Sequence, residues 1–62
     1  MFENFLNKVN KSIRESEEYI NFLEQRLKKT NSKDTAINIA FELEKERVKI
    51  LAYYNLIEFM NV

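Results

Sequence analysis

Apolar residues recur through the first half of the chain at alternating spacings of four and three, which is the spacing of a heptad repeat. The positions that follow this spacing are Phe2, Leu6, Val9, Ile13, Ser16, Ile20, Leu23, Leu27 and Thr30. On an α-helix such positions lie on one side and form a seam that packs against another helix. The pattern predicts a first helix at about residues 3–29.

The polar sequence TNSKDT interrupts this seam. Asn31 can adopt the left-handed conformation that often closes a helix, and Ser32 or Asp34 can cap the next one. A second seam then begins in a new phase. Its positions are Ala36, Ile39, Leu43, Glu46, Ile50, Tyr53, Ile57 and Met60. The change of phase predicts a turn at residues 30–33 and a second helix at about residues 34–61.

One continuous helix is the alternative, since the chain contains no Gly or Pro that would break it. Such a helix would carry the first seam onward through Asp34, Glu44, Asn55 and Glu58. Because polar and charged groups are costly to bury, two helices are favoured. Helices joined by a short loop are antiparallel neighbours, so residues 1–62 are expected to form one all-α domain, an antiparallel helical hairpin.

A second apolar stripe lies on the side of the second helix opposite its seam, when residues are placed at about 100° intervals. Its members are Ile37, Phe41, Val48, Leu51, Ala52, Phe59 and Val62, with Glu44 and Asn55 between them. The first helix can cover only one of the two sides. We therefore expect a partner to cover the other, through an interface at Ile37, Phe41, Val48, Leu51, Phe59 and Val62.

The partner that this pattern favours is a second copy of the chain, two hairpins pairing into a homodimeric four-helix bundle. A different protein is the alternative partner. A looser assembly is a further alternative, as is a helix lying on a membrane surface. The membrane alternative is disfavoured because residues 50–62 contain no Lys or Arg.

Two polar residues, Ser16 and Glu46, occupy seam positions. In a hairpin of this length they come within about one turn of each other. A polar layer fixes the register of two helices at some cost in stability, which is the role predicted for both residues. The alternative is that Glu42 and Glu46, four apart on one helix face, bind a metal or act as general acid and base. Di-metal sites in helical bundles normally add a His, and the chain has none.

Aromatic residues gather at the end of the predicted hairpin away from the loop. Phe2 and Phe5 come level with Tyr53, Tyr54 and Phe59. Such clusters are either interface anchors or core residues, and core packing is the prediction here.

Composition excludes several classes of site. The chain of 62 residues contains no Cys, His or Gly, so we expect no disulfide, zinc site, imidazole catalysis or glycine-rich phosphate loop. We predict no catalytic, cofactor-binding or metal-binding residues and no enzymatic activity. Ten basic and ten acidic residues give a net charge of zero, which favours neither nucleic acid nor an acidic membrane as a partner.

The expected location is the cytoplasm. The longest uncharged run, residues 50–57, has eight residues, whereas a membrane-spanning helix needs about 20. The N-terminal residues also lack the long apolar core of a signal peptide. Eight Asn and seven Lys are typical of an AT-rich genome, such as that of a low-GC bacterium or a phage.

These patterns together predict a small protein-interaction module, a homodimeric regulator or inhibitor that acts through an apolar face of the second helix. The alternative is a small RNA- or DNA-binding hairpin, because Lys8, Lys11 and Arg14 lie three apart on the outer side of the first helix. The acidic residues that follow them oppose this alternative.

The stretch Ala40-Phe41-Glu42-Leu43-Glu44 supports a third hypothesis. In Glu42 and Leu43 it resembles the Ser-Gln-Glu-Leu-Asp hallmark of the Spo0E-like aspartyl-phosphate phosphatases, which are also short helical hairpins. The resemblance implies a divergent phosphatase with Glu44 at the position of the functional Asp of that family. It covers five of the 62 residues, and the Ser and Gln of the hallmark are replaced.

Overall fold

The structure, a computed structural model, describes residues 2–61, and of residue 2 the backbone alone. Two α-helices of 28 residues each, α1 (Phe2–Lys29) and α2 (Lys33–Met60), pack against each other as a hairpin of 47 × 15 × 11 Å. This part of the chain contains no strand. The prediction of an all-helical hairpin is confirmed. Val62, a predicted interface residue, and the Phe2 side chain, a predicted seam position, lie outside the described residues.

The N-terminus of α2 is capped by Ser32, whose backbone is extended at φ −95° and ψ 122°. The backbone N–H of Thr35 donates to the Ser32 hydroxyl oxygen at 3.3 Å. This bond satisfies one of the N–H groups that have no partner within the first turn of a helix. Asp34, the other predicted cap, lies inside the first turn, where its negative charge interacts favourably with the helix dipole.

The C-terminus of α1 closes without the left-handed residue predicted at Asn31. No residue between positions 2 and 61 has a positive φ angle, so this prediction is wrong. The N–H of Thr30 donates to the Arg26 carbonyl at 3.0 Å, and the N–H of Ser32 donates to Thr30 Oγ1 at 3.3 Å. The Thr30 hydroxyl therefore accepts a bond within the turn, and the chain reverses over residues 30–32 with ordinary backbone torsions.

The buried apolar residues of both helices belong to the two seams. They are Val9, Ile13, Leu23, Ile39 and Leu43. The last three form a cluster, with the partly buried Ile20 and Leu27 packed against it. The side of α2 that carries Ile39 and Leu43 is therefore the side that faces α1, as the phase of the second seam indicates. A core of this size gives a two-helix unit little stability of its own.

Candidate interaction surface

Five large apolar side chains are exposed along the side of α2 opposite its buried seam. They are Ile37, Phe41, Val48, Leu51 and Phe59, which are 44%, 73%, 57%, 60% and 78% exposed, and we call them the outer stripe. At 3.6 residues per turn, the outer stripe centres about 170° from the buried positions around the α2 axis. Five of the six predicted interface residues therefore share one face, and this face is not the one that α1 covers.

Glu44 and Asn55 interrupt the outer stripe, and both are exposed. The remainder of the stripe offers methyl, methylene and aromatic groups without hydrogen-bonding capacity. Such a surface binds by excluding water from another apolar surface. A helix with apolar residues on two opposite sides is typically a helix that is covered on both.

Four charged residues follow one edge of the outer stripe, and one of them, Glu44, interrupts it. Lys33, Glu44, Arg47 and Glu58 are exposed and fall within about 60° of each other around the α2 axis. Their charges alternate along the helix. Arg47 also forms an ion pair across the hairpin, with its Nη2 atom 3.8 Å from Oε2 of Glu24. Because both side chains are about half exposed, this pair adds little to the stability of the hairpin.

Ser16 and Glu46 are both buried between the helices. They line one cavity of about 310 Å³, together with Ser12, Glu15, Tyr19, Lys49 and Tyr53. Lys49 Nζ lies 3.4 Å from Glu46 Oε1, so the buried carboxylate has a cationic partner on its own helix. No buried side-chain nitrogen or oxygen among the described residues lacks a hydrogen-bond partner. The two residues thus meet at one cavity, and their role in fixing the register stays a prediction.

The three carboxylates considered for chemistry do not line one common cavity. Glu42 lines a separate cavity of about 380 Å³, with Arg26 and Thr35, whereas Glu46 lines the first. Glu42 and Glu44, the carboxylates of the phosphatase resemblance, lie about 160° apart around α2, and Leu43 between them is buried in the core. Within residues 2–61, no three acidic, His or Cys side chains are placed to hold a metal ion. Glu42 and Glu46 thus share one face of α2 but line different cavities, and Glu44 lies on another side of the helix.

The three basic residues predicted to contact nucleic acid are all exposed on α1. Lys8, Lys11 and Arg14 lie on the side of α1 away from α2, when residues are placed at 3.6 per turn. Glu15 and Glu18 follow on the same side within about two turns. The charge on this side of α1 therefore changes from basic to acidic along the helix.

One exposed cluster on α1 was not predicted. The rings of Tyr19 and Phe22 are stacked, with centroids 6.3 Å apart and planes inclined by 17°. Arg26 Cζ lies 5.9 Å from the Phe22 ring centroid, within cation–π range. The spacing of three and then four residues is the signal that could have revealed this cluster, because such residues are neighbours on a helix surface.

The aromatic residues at the end away from the loop are mostly exposed. Phe5, Tyr54 and Phe59 are exposed, and Tyr53 alone among the described members is half-buried. The prediction of core packing is therefore wrong for the three exposed residues. Tyr53 lies in a seam, whereas Phe59 lies on the opposite side of α2. Phe5 and Tyr54 lie beside the seams near the open end of the hairpin, where a single neighbouring helix leaves them exposed.

No protein family, curated protein or solved structure matches this chain. Neither helix within residues 2–61 combines the length and the apolar character needed to cross a membrane. Function is therefore inferred from the arrangement of the side chains.

Proposed function

We propose that this protein is a small, non-enzymatic protein-interaction module that pairs with a second copy into a four-helix assembly. The outer stripe of α2 is the proposed contact surface, and regulation or inhibition of another protein is the role proposed for the dimer. The observation that carries the proposal is the exposure of Phe41 and Phe59 on the face opposite the buried seam.

The proposal follows from the cost of leaving this face in water. Burial of apolar surface stabilises by about 25 cal/mol for each Å² removed from water. Soluble monomers rarely expose contiguous apolar patches of several hundred Å² unless the patch is a binding site. Among the described residues only five apolar side chains are buried, so covering the outer stripe would add substantially to a small core.

Sedimentation velocity on the wild-type chain and on charged variants tests this proposal. We expect the wild type to sediment as a dimer at micromolar concentration. Val48→Asp and Phe59→Asp are expected to sediment as monomers, because each places a carboxylate inside the apolar contact. Asn38→Asp is the matched control, since it adds the same charge to an exposed position of α2 outside the outer stripe.

Two results would overturn the proposal. One is a wild-type chain that remains monomeric and nevertheless melts cooperatively, since the outer stripe then needs no cover. The other is a dimer that persists in both stripe variants, since the interface then lies elsewhere.

Binding of single-stranded nucleic acid is a second candidate, favoured by the position of the unpredicted cluster. Tyr19, Phe22 and Arg26 lie within about 80° of Lys8 and Lys11 around the α1 axis. Stacked aromatic rings beside basic side chains are the components that single-strand binders use. The zero net charge of the chain speaks against this candidate.

Fluorescence anisotropy with a labelled single-stranded oligonucleotide separates the two candidates. Nucleic-acid binding should weaken steeply as salt is raised, whereas an apolar interface should not. The double variant Lys8→Glu, Lys11→Glu should then lose binding, and Lys28→Glu, on another side of α1, should retain most of it. Absence of binding by the wild type at low salt would remove this candidate.

A further inference from the structure

We propose that the outer stripe of α2 is covered by the outer stripe of a second copy, with the two α2 helices antiparallel at the centre of the dimer. This inference rests on the proposed function, since it takes the outer stripe to be an interface. It adds the direction and the register of the two helices and the arrangement of all four.

The position of the outer stripe determines where the second copy lies. The stripe centres about 170° from the seam that packs on α1, so a helix that covers it lies on the far side of α2. In a square bundle, a helix would instead meet its two neighbours at roughly 90° around its axis. The four helices therefore form a row, with α1 of each copy on the outside.

The charges along one edge of the outer stripe determine the direction and the register. In an antiparallel pair, one edge of the interface on the first helix lies beside the same edge on the second helix. Charges along such edges determine whether two helices pair in parallel or antiparallel. One register places Lys33 opposite Glu58 of the second copy. The same register places Glu44 opposite Arg47 of the second copy, because both pairs have their midpoint between positions 45 and 46. Two-fold symmetry repeats each pair. This midpoint lies within one residue of the centre of α2, so the helices overlap over nearly their full length.

The same register brings parts of the two outer stripes together. Phe41 lies within one residue of the level of Leu51 of the second copy, and Ile37 lies within one residue of the level of Asn55. Phe59 comes over the first turn of the other α2, where the aliphatic part of Lys33 can cover it.

A parallel pair is disfavoured by the charge within the stripe. Residues at the centre of a parallel interface meet their own copies, so Glu44 would face Glu44, and like charges repel when they are desolvated. In the antiparallel pair each Glu44 is opposite an Arg47, and the two copies of Glu44 are about 4.5 Å apart along the axis. The two copies of Lys45 approach each other on the opposite edge. Lys45 is exposed, and its long side chain can turn into water.

The area available is sufficient for a second copy. A large apolar side chain presents about 150–250 Å², so the five partly exposed residues offer on the order of 500 Å² in each chain. Two copies would together bury about 1,000 Å², which is about the minimum for a biological interface and below the roughly 1,200 Å² at which stable specific interfaces begin.

Introduced cysteines test the arrangement, because the chain has none of its own. Ile37→Cys and Asn55→Cys change exposed positions, so both variants should fold. Each is oxidised alone and in an equimolar mixture and analysed by non-reducing electrophoresis. We expect a disulfide-linked dimer from the mixture only. In the proposed register the two copies of position 37 lie about 26 Å apart along the helix axis, too far for a disulfide.

Charge reversal tests the register independently. Lys33→Glu should weaken dimerisation by about tenfold at low salt, because two pairs become repulsive. Adding Glu58→Lys to the same chain should restore it, and a double variant that stays as weak as the single one would overturn the register.

The outcomes separate this inference from the proposed function. Cross-linking of Ile37→Cys to itself would indicate a parallel pair and overturn the inference, while the outer stripe would remain an interface. A wild-type dimer without cross-links in any of the three samples would overturn both the inference and the use of the outer stripe. A folded wild-type monomer would overturn the proposed function itself.

Discussion

Phe41 and Phe59 lie about five turns apart on the same side of α2, and they are the two most exposed large apolar residues in residues 3–61, at 73% and 78%. Truncating a buried Phe to Ala costs about 3–5 kcal/mol, whereas truncating an exposed one costs little. We therefore expect Phe41→Ala and Phe59→Ala to unfold like the wild type in dilute solution and to be less stable at high concentration. Urea unfolding followed by circular dichroism over a range of protein concentrations measures this difference. An equal loss at every concentration would mean that both rings already pack within one hairpin.

Leu23→Ala should behave in the opposite way. Leu23 is the most buried residue of the core cluster and packs between the two helices, so its loss leaves a cavity within each hairpin. The free energy of unfolding should fall by about 2–5 kcal/mol at every protein concentration. Phe22→Ala, at the exposed position next to it, is the control and should cost far less. An equal loss of unfolding free energy in the two variants would contradict the placement of Leu23 in the seam that packs on α2.

Glu46→Leu should raise the melting temperature and leave the helix content unchanged. The change replaces a buried carboxylate with an apolar group, and the charge of Lys49 stays solvated because its side chain is about half exposed. Glu17→Leu, at an exposed position of α1, should have an effect within about 0.5 kcal/mol. We also expect the Glu46 variant to show more than one set of backbone NMR signals, because the polar layer that sets the register is lost. Unfolding of the variant would instead show that Glu46 belongs to a stabilising network with Lys49.

Ser32→Ala should lower the free energy of unfolding by about 1 kcal/mol, because the Thr35 N–H loses its acceptor at the start of α2.

Asn31→Gly is the matched test of the turn. Replacement by Gly stabilises a position whose φ angle is positive. The φ angle of Asn31 is not positive, so we expect no increase in the free energy of unfolding. Thermal unfolding by calorimetry measures both changes, and a stabilised Gly variant would contradict the turn described here.

The architecture could be predicted from the sequence because the two seams differ in phase. The spacing from Val9 to Leu23 marks one side of the first helix, and the restart at Ala36 marks the side of the second that meets it. Every large apolar residue of the outer stripe was likewise placed on the correct side, since position on a helix depends only on periodicity.

Features set by local hydrogen bonds and by side-chain competition were less predictable. Asn31 tolerates a left-handed conformation, but the Thr30 hydroxyl gives the turn another acceptor, and composition alone does not decide between the two. Phe5 and Tyr54 look like core residues by type, yet only seam positions are covered in a two-helix unit. The stack of Tyr19 on Phe22 lies outside both seams, so the spacing of the seams gives no indication of it.

The absence of positive φ angles from positions 2 to 61 bears on how this protein tolerates change. Each of these backbone conformations is one that any L-amino acid other than Pro adopts without a steric penalty, so no position depends on a residue for its backbone alone. Substitutions therefore act through what each side chain contacts and through helix propensity. A sequence that drifted at all its exposed positions could keep this hairpin, which means that kinship between such chains would be visible in the pattern of the seams long after residue identities had been lost.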